Sequence, residues 1–540
     1  MKKSNLLVSF LLFFFASVSV AQDRFMVFFT DKENSEFSID QPEEFLSQRA
    51  IDRRLKFDIP IEEKDLPVNS SYVKSIDGLG AEVYYTSKWM NGALVQMDAD
   101  LRSAIEAEEY VESVEYIAPG KKLSWNKSEF SVPDTFEDPS FQMATSELQN
   151  AMIGVDKMHE SNYRGQGIMI AVFDAGFEGV NTFKPFENLH KENRLIAAKD
   201  FVYNTDNPFQ YHDHGTEVIS CIAADYPEFV GTAPEASYII AVTEDVKSEF
   251  RVEEYNWLLA AEFADSAGTD IIHSSLGYSV FGKEPSMNYS YQDMDGNTAV
   301  ITRAVNLAVS RGILVVTSAG NEGNSSWEYI TAPADARNIL AVGAITKSYT
   351  KSGFSSVGPT IDGRIKPDVV ALGSGVAIML GNGQITNGNG TSYAAPQVAG
   401  LAAGVWQANP DWSNVEVVNA IKLTASRAFN ADTAFGYGVP NFEAATVGRV
   451  LSISDIISDK IKVYPNPFED NRVWIDFQQR EDIYPVTVRV IDMKGATVAS
   501  QNINSFIQKA EIFIPAKEPG IYFLKLSSDS FSKTVKLIKY

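Results

Sequence analysis

The spacing of apolar and polar residues divides the chain into three regions with different predicted structures. In the first, residues 22–120, strand-like runs alternate with amphipathic segments. The strand-like runs are "RFMVFFT", "GAEVYYTS", "GALVQMD" and "VESVEYIAP", and the helical segments are "PEEFLSQRAIDRRLKF" and "DLRSAIEAEEYV". This order predicts a βαββαβ unit, which is a small α+β domain. A polar segment without clear periodicity follows, so residues 121–143 are predicted to be a linker.

The second region, residues 144–448, alternates nearly continuous apolar runs with helical segments. Apolar runs that stop at Asp, Gly or Asn are typical of parallel strands covered on both faces. These runs are "GIMIAVFDAG", "SYIIAVT", "TDIIHSSLG" and "ILVVTSAGN", and the helical segments are "GTEVISCIAA", "VEEYNWLLAAEFADSAG" and "TAVITRAVNLAVSRG". The pattern predicts an α/β fold with a doubly wound, mostly parallel sheet. Ligands of such sheets bind outside the carboxyl ends of the strands.

The third region, residues 462–540, contains short runs in which apolar and polar residues alternate. Turn signals such as Lys494-Gly495 and Pro519-Gly520 separate these runs. This pattern predicts a small C-terminal β-sandwich. Residues 449–461 are predicted to link it to the second region.

The N-terminus predicts export. Two lysines precede an apolar run, and Ser19 and Ala21 have the spacing that a signal peptidase recognises. Residues 1–21 are therefore predicted to be a signal peptide that is cleaved after Ala21. No later stretch predicts a transmembrane segment. Cys221 is the single cysteine, so no disulfide forms within the chain, and its apolar helical setting predicts a buried thiol.

Composition narrows the classes of partner. Hydrophobic residues make up 45% of the chain, as in globular proteins with large cores. The net charge of -24 argues against binding to nucleic acid or to anionic membranes, because both need a basic face. A well-solvated acidic surface accounts for the charge.

Four polar residues stand where predicted strands end or predicted helices begin. Asp174 closes "IAVFD", His214 follows "HD", Asn321 follows "TSAG", and Ser392 precedes the small residues of "NGNGTSYAAPQVAG". Each has an ordinary reading when taken alone: a helix cap, a structural histidine or a turn residue. At one edge of one sheet, however, a carboxylate, an imidazole and a hydroxyl can orient, deprotonate and attack. A carboxamide beside them could donate to a developing oxyanion.

Five segments carry a family resemblance: "IAVFDAGF", "HDHGTEV", "IIHSSLG", "SAGNEG" and "GTSYAAPQVAGLAA". In these segments the second region resembles the subtilisin-like serine peptidases, or subtilases. The resemblance implies a secreted serine endopeptidase that hydrolyses peptide bonds through an acyl-enzyme. It assigns Asp174 as the orienting carboxylate, His214 as general base and acid, and Ser392 as nucleophile. Asn321 and the Ser392 backbone N–H would form the oxyanion hole.

The resemblance also implies how protein or peptide substrates bind. The backbone of Ser275, Leu276 and Gly277 would pair with an extended substrate as an added strand. Ala319 and Gly320 would face that backbone across the pocket for the side chain before the scissile bond. No cofactor is required for this chemistry.

Three positions depart from the usual family pattern. Glu217 replaces a second histidine, Ala175 replaces threonine or serine, and His273 replaces asparagine. None of them removes a triad member. Because Glu217 lies about one helical turn from His214, we expect its carboxylate to raise the basicity of the imidazole.

The flanking regions have resemblances of their own. Residues 22–120 resemble a subtilisin-type propeptide, which implies an intramolecular inhibitor removed by autoprocessing. Lys121-Lys122 is a candidate cleavage site, although any position in 119–143 remains open. The runs "YPNPF", "GIYFLKL" and "KTVKLIKY" resemble the C-terminal sorting domain of type IX secretion. This implies export across both membranes by that machinery, to the medium or the cell surface.

Other functions fit less well. An α/β-hydrolase esterase needs G-x-S-x-G, but Ala394 occupies the second glycine position and the triad order differs. The sequence contains no H-E-x-x-H motif, so a zinc peptidase is not predicted. The remaining alternative is a binding protein on an inactive peptidase scaffold, against which the intact triad argues.

The segment "YQDMDGNT" is a candidate for structural calcium. Asp293 and Asp295 alternate before Gly296, as at the start of a calcium loop. The distal glutamate of such a loop is missing. The alternative is a solvated turn.

Overall fold

The computed structural model describes residues 22–120, 130–447, 462–477, 485–493, 496–505, 507–515, 518–528 and 532–540. The predicted signal peptide, the predicted linker 449–461 and the Lys121-Lys122 pair lie outside the described residues. The chain divides into two compact units, residues 1–442 and 443–540.

The N-terminal region forms an antiparallel sheet with helices, in the order β2-β3-β1-β4. Its strands are β1 (Asp23–Phe29), β2 (Glu82–Ser87), β3 (Gly92–Met97) and β4 (Val111–Ala118), and its helices are α1 (Gln48–Lys56), α2 (Ser70–Gly78) and α3 (Arg102–Glu106). The predicted α+β class is confirmed. The first predicted helix is shorter than expected because the Ser47 side chain caps it by accepting from the Ala50 N–H. Helix α2 was not predicted.

The rest of the first unit contains the strands and helices that surround the candidate site. The strands are β5 (Phe141–Gln142), β6 (Met169–Asp174), β7 (Leu195–Asp200), β8 (Asp225–Tyr226), β9 (Phe229–Val230), β10 (Ser237–Val242), β11 (Ile271–Ser274), β12 (Leu314–Ser318), β13 (Leu340–Ile345), β14 (Val369–Leu372), β15 (Ser374–Met379) and β16 (Gln384–Asn389). The helices are α4 (Glu147–Met152), α5 (Val155–Glu160), α6 (Glu187–Lys191), α7 (His214–Ala223), α8 (Val252–Ala267), α9 (Val300–Ser310), α10 (Thr391–Ala408) and α11 (Asn414–Leu423), and α12 (Phe442–Val447) begins at the last residue of this unit.

Seven of these strands form a parallel sheet in the order β14-β13-β12-β11-β6-β10-β7. Every residue of β6, β12 and β13 is buried, as expected for strands covered on both faces. Helices α8 and α9 pack against each other, and α10 packs against α7 and strands β11 to β14. The predicted doubly wound α/β fold is confirmed.

The face of the N-terminal sheet packs on α8. Met26 and Leu94 share a hydrophobic core with Tyr255 and Leu258. At the edge of this contact the Glu115 carboxylate accepts a hydrogen bond from the Tyr255 hydroxyl at 2.7 Å. The N-terminal region is therefore docked on helix α8 of the parallel-sheet body.

Part of the predicted linker 121–143 is built into the body. Strand β5 runs parallel to β16, which forms a hairpin with β15. The Ser140 N–H donates to the Gly383 carbonyl at 2.9 Å, and the Met143 N–H donates to the Ile385 carbonyl at 2.9 Å. Its polar sequence has no periodicity because main-chain bonds, not buried side chains, hold it.

The second unit contains two antiparallel sheets. Their strands are β17 (Lys462–Tyr464), β18 (Arg472–Asp476) and β21 (Lys509–Phe513) in one, and β19 (Val486–Asp492), β20 (Thr497–Ile503), β22 (Gly520–Ser527) and β23 (Ser532–Lys539) in the other. Val473 and Ile475 from one sheet share a core with Val488 and Leu524 from the other. The predicted β-sandwich is confirmed. Within the described part of the whole chain, no helix has the length and apolar character needed to cross a membrane.

Candidate active site

The site begins with an aspartate–histidine pair at the carboxyl edge of the parallel sheet. Asp174 is the last residue of β6 and is fully buried, and His214 is the first residue of α7. The two side chains meet with 2.8 Å between His214 Nδ1 and Asp174 Oδ1. The same oxygen accepts the Ala175 N–H at 2.7 Å. This bond holds the imidazole in one orientation and leaves Nε2 free for chemistry.

The carboxylates near His214 control its protonation. Burial alone would lower the pKa of the imidazole, but the charge and hydrogen bond of Asp174, with smaller contributions from Glu244 and Glu217, raise that pKa to about 9. A positive charge on the His214 ring is therefore strongly stabilised.

A glycine permits the close approach of α7 to β6. A Cβ at Gly215 would lie 2.4 Å from the Gly176 carbonyl oxygen and 3.0 Å from the Asp174 Cβ. Any other residue there would push the helix away from Asp174. The need for glycine after His214 in this chain thus has a steric cause.

Ser392 lies in the first turn of α10, where backbone N–H groups have no acceptor within the helix. The side chain is 7% exposed, and its hydroxyl donates to the Ser275 carbonyl at 3.5 Å. The next residue, Tyr393, brings its ring to 6.1 Å from the His214 ring. Within the described residues the Ser392 hydroxyl forms no hydrogen bond to His214. In enzymes without substrate, such bonds often tighten only in the complex.

The Asn321 side chain is fixed beside Ser392. Its Oδ1 accepts both the Thr391 N–H and the Thr391 hydroxyl, each at 2.9 Å. Since both partners donate, the carboxamide oxygen is held and its NH₂ group remains available to an acceptor. Asn321 and Ser392 line the same cavity.

That cavity, here called the serine pocket, has a volume of about 370 Å³. It contains most of the residues predicted to bind substrate: Ser275, Leu276, Gly277 and Gly320. Ala319 does not line this pocket and is fully buried. Gly320 has a φ of +106°, and a Cβ there would lie 2.8 Å from Ser356 Oγ. The pocket wall therefore depends on glycine at this position.

His273 connects the sheet to the serine. It is fully buried, with Nδ1 3.1 Å from the Val316 carbonyl oxygen and Nε2 3.0 Å from Ser275 Oγ. Ser275 Oγ in turn lies 2.9 Å from the Ser392 carbonyl oxygen. Burial lowers the pKa of His273 to about 4, so the ring is neutral at physiological pH. The single N–H of the neutral ring donates to the Val316 carbonyl, so the Ser275 hydroxyl can donate either to His273 Nε2 or to the Ser392 carbonyl.

Glu217 lies on α7 one turn after His214, and its carboxylate accepts a hydrogen bond from the Tyr393 hydroxyl. Burial raises the pKa of Glu217. Cys221, further along the same helix, is buried, and burial raises the pKa of its thiol. This agrees with a structural thiol and not a nucleophile.

The candidate calcium loop is held by its own hydrogen bonds. Asp293 accepts from the Ser290 N–H and hydroxyl, each at 2.7 Å. Asp295 accepts from the N–H groups of Asn297 and Thr298 at 2.7 and 2.8 Å. The described residues contain no group of three or more His, Cys, Asp or Glu side chains arranged to hold a metal ion. Calcium binding here stays a prediction, checked by the effect of a chelator on heat stability.

Sequence reasoning missed two contributions to the site. Thr391, which orients Asn321, immediately precedes the serine and reads as an ordinary helix-start residue. Glu244 follows β10 and acts on His214 through its charge. Its position two residues past the end of a buried strand is the signal that could have found it.

Comparison with known families gives three matches along the chain. Residues 165–438 match the subtilase family, residues 24–131 match the peptidase S8 propeptide domain of Bacteroidota, and residues 462–540 match the secretion system C-terminal sorting domain.

Two curated relatives are similar over about half of this chain. Subtilisin NAT of Bacillus subtilis subsp. natto is 33% identical over 301 residues, which cover 55% of this chain and 70% of the relative. Subtilisin of Bacillus pumilus is 31% identical over 301 residues, covering 55% of this chain and 96% of the relative. Among solved structures, MycP1 from the ESX-1 type VII secretion system is similar with a TM-score of 0.45 and 21% identity, over 58% of this chain and 90% of that one.

Proposed function

Because the chain belongs to the subtilase family and is an exported serine endopeptidase with a propeptide, we propose that Asp174, His214 and Ser392 are its catalytic triad. The observation that carries this proposal is the 2.8 Å bond between His214 Nδ1 and Asp174 Oδ1, at the same sheet edge as Ser392. Asn321, oriented by Thr391, supplies a donor on the other side of the serine.

The geometry supports acyl transfer in two halves. The Ser392 hydroxyl attacks the peptide carbonyl carbon while His214 Nε2 takes its proton. The resulting oxyanion accepts from the Asn321 NH₂ group and the Ser392 N–H. The imidazolium then gives its proton to the leaving amine, and the C–N bond breaks. Water repeats the sequence on the acyl-enzyme, with His214 again as base.

Labelling with a fluorophosphonate probe tests the nucleophile. The secreted, processed protein should form a covalent adduct at Ser392, and Ser392→Ala should form none. Absence of labelling in the wild-type protein, or equal labelling of the variant, would favour a binding protein on an inactive scaffold.

We further propose that residues 22–120 inhibit the enzyme until it cuts them away. The Arg53 and Arg54 side chains of α1 bind the fully buried Asp265 of α8, with Arg53 Nη2 2.5 Å from Asp265 Oδ1. On the same helix, Glu262 accepts from the Ser87 hydroxyl at 2.6 Å and the Lys88 N–H at 2.9 Å. These bonds support a tight, specific complex that covers α8.

Mass spectrometry of the secreted protein tests autoprocessing. In the wild type, the new N-terminus should lie within 119–143, and Ser392→Ala should accumulate uncut. A variant processed as fast as the wild type would show that another peptidase makes the cut. The C-terminal unit is proposed to be the part recognised by the export machinery.

A further inference from the structure

The serine pocket is acidic. Glu249 and Glu322 both line it, and its lining includes no lysine, arginine or histidine. Because Ser392 also lines this cavity, a substrate side chain entering it meets two carboxylates close to the reacting centre. The substrate side chain that binds there must therefore be complementary to the negative charge of the pocket.

Neither carboxylate is neutralised by the protein. Within the described part of the chain, the side chains of Glu249 and Glu322 form no hydrogen bond or ion pair. Burial raises the pKa of Glu249, and the negative charge of Glu322 raises it further. Two like charges that face one cavity without a counter-ion are destabilising until a cation arrives.

A second cavity adjoins the first and shares Glu249 with it. This outer pocket has a volume of about 390 Å³ and is also lined by Glu244 and Glu253. Glu253 is 3% exposed, and its Oε2 lies 3.1 Å from the Tyr278 hydroxyl that donates to it. Its Oε1 is buried and has no hydrogen-bond partner. This oxygen is therefore open to a donor from a ligand that enters the outer pocket.

Two lysines also line the outer pocket but leave these glutamates unpaired. The Lys283 ammonium donates to the Lys247 carbonyl at 3.4 Å. Within the described residues neither lysine forms an ion pair with Glu244, Glu249 or Glu253. Burial raises the pKa of Glu244 to about 8 and that of Glu253 well above its usual range, so both carboxyl groups favour the neutral form until a cation approaches.

A substrate side chain fits these pockets better than a metal ion. The described residues contain no group of three or more ligands arranged to hold a metal. The serine pocket also offers apolar walls from Leu276, Val280 and Trp327. A lysine or arginine stem packs on such walls while its charged end reaches a carboxylate, and an aromatic face adds a cation–π contact.

Resting on the proposed function, we propose that this peptidase prefers lysine or arginine immediately before the scissile bond. Glu322 and Glu249 pair with that side chain in the serine pocket. The outer pocket, through Glu253, receives a second basic side chain of the same substrate. The substrate class is therefore exposed basic segments of proteins.

Fluorogenic peptides that differ only before the scissile bond test the preference. For the secreted, processed protein we expect kcat/KM for arginine or lysine to exceed that for glutamine or norleucine by about tenfold or more. Glu322→Gln and Glu249→Gln should each reduce the arginine-to-norleucine ratio severalfold. Glu147→Gln removes an equal charge from an exposed position on α4, outside both pockets, and should leave the ratio unchanged.

A second series tests the outer pocket. Adding a second basic residue upstream should raise kcat/KM for the wild type, and Glu253→Gln should remove most of that gain. Fluorophosphonate labelling of Ser392 in every variant confirms that the site is folded. Preference for apolar residues by a labelled enzyme, or an unchanged ratio in Glu322→Gln and Glu249→Gln, would overturn this inference alone. Absence of labelling in the wild type would instead overturn the proposed triad.

Discussion

The two oxygens of the Asp174 carboxylate have different surroundings. Oδ1 accepts bonds from His214 and from the Ala175 N–H, whereas Oδ2 is buried without a hydrogen-bond partner in the described structure. An under-solvated carboxylate is costly by itself. Its cost falls when His214 becomes positively charged, so the arrangement favours the state that exists during proton transfer.

Asn321 provides a test at the level of one donor. Asn321→Ala should lower kcat about 10²–10³-fold with little change in KM, because the donor acts on the oxyanion and not on the ground state. Thr391→Val removes a hydroxyl that orients Asn321 and should cause a smaller loss. Steady-state kinetics on one peptide substrate would measure both. If the double variant loses no more kcat than Asn321→Ala alone and still labels at Ser392, the two residues act as one unit.

The pH dependence follows from the raised pKa of His214. A general base must be neutral, so kcat/KM should increase as His214 loses its proton. This ascending limb of the pH profile should lie above pH 6.5 and extend towards about pH 9. Glu217→Gln removes one of the charges that favour the imidazolium, and should move this limb to lower pH. A kcat/KM profile between pH 5 and 10 measures the shift. An unmoved limb would show that Glu217 acts only by anchoring the Tyr393 hydroxyl.

At the scale of elements, α8 contributes residues both to the outer pocket and to the contact with the N-terminal region. One end of it supplies Glu253 to the outer pocket, and the other end supplies Glu262 and Asp265 to the N-terminal region. Gly268 ends the helix with a φ of +92°, and a Cβ there would lie 2.7 Å from the Arg49 Cβ. The helix therefore stops where the propeptide helix α1 begins to pack.

The buried ion cluster at that end predicts a change in precursor stability. In a Ser392→Ala background, Asp265→Asn should destabilise the precursor by about 3–5 kcal/mol, because Arg53 and Arg54 lose a buried partner. Thermal or denaturant unfolding would measure this change. Asp411→Asn is the matched control, since its pair with Lys56 is exposed and should contribute about 0–1 kcal/mol. Equal effects of the two variants would contradict a special role for the buried cluster.

Which elements could be predicted depended on periodicity. Strands β6, β10, β11 and β12 carry long apolar runs, and the helices between them have clear stops, so they were predicted. Strands β7, β13 and β14 were not assigned, and β7 lies at the sheet edge with partly exposed residues. Short β5 depends on main-chain pairing that no side-chain pattern reveals.

The same contrast holds for the candidate site. Asp174, His214, Asn321 and Ser392 stand in recognisable local sequences, and the structure brings the first two into direct contact. Glu249 and Glu253 stand in a polar sequence around the start of α8, and Glu322 directly follows Asn321, so none of the three has a local pattern that assigns it to a pocket. Only the fold shows that they face two adjoining cavities.

At the scale of the whole molecule, the matched sorting domain and the candidate active site lie in separate compact units. Deletion of residues 462–540 should retain the protein inside a host that has this secretion system, because the sorting domain is lost. The truncated protein should still react with the fluorophosphonate probe once its propeptide is removed. Cell fractionation with immunoblotting measures the first effect. Normal appearance of the truncated protein in the medium would contradict it.

Strand β5 bears on what happens after the propeptide is cut off. Cleavage anywhere before residue 130 would leave a new N-terminal segment that is hydrogen-bonded, through Ser140 and Met143, to the β15–β16 hairpin. That hairpin leads into α10, the helix that carries Ser392. Exopeptidases that trim this N-terminus should stop where β5 pairs with β16. A mature enzyme cut anywhere before residue 130 would thus acquire the same protease-resistant beginning at β5.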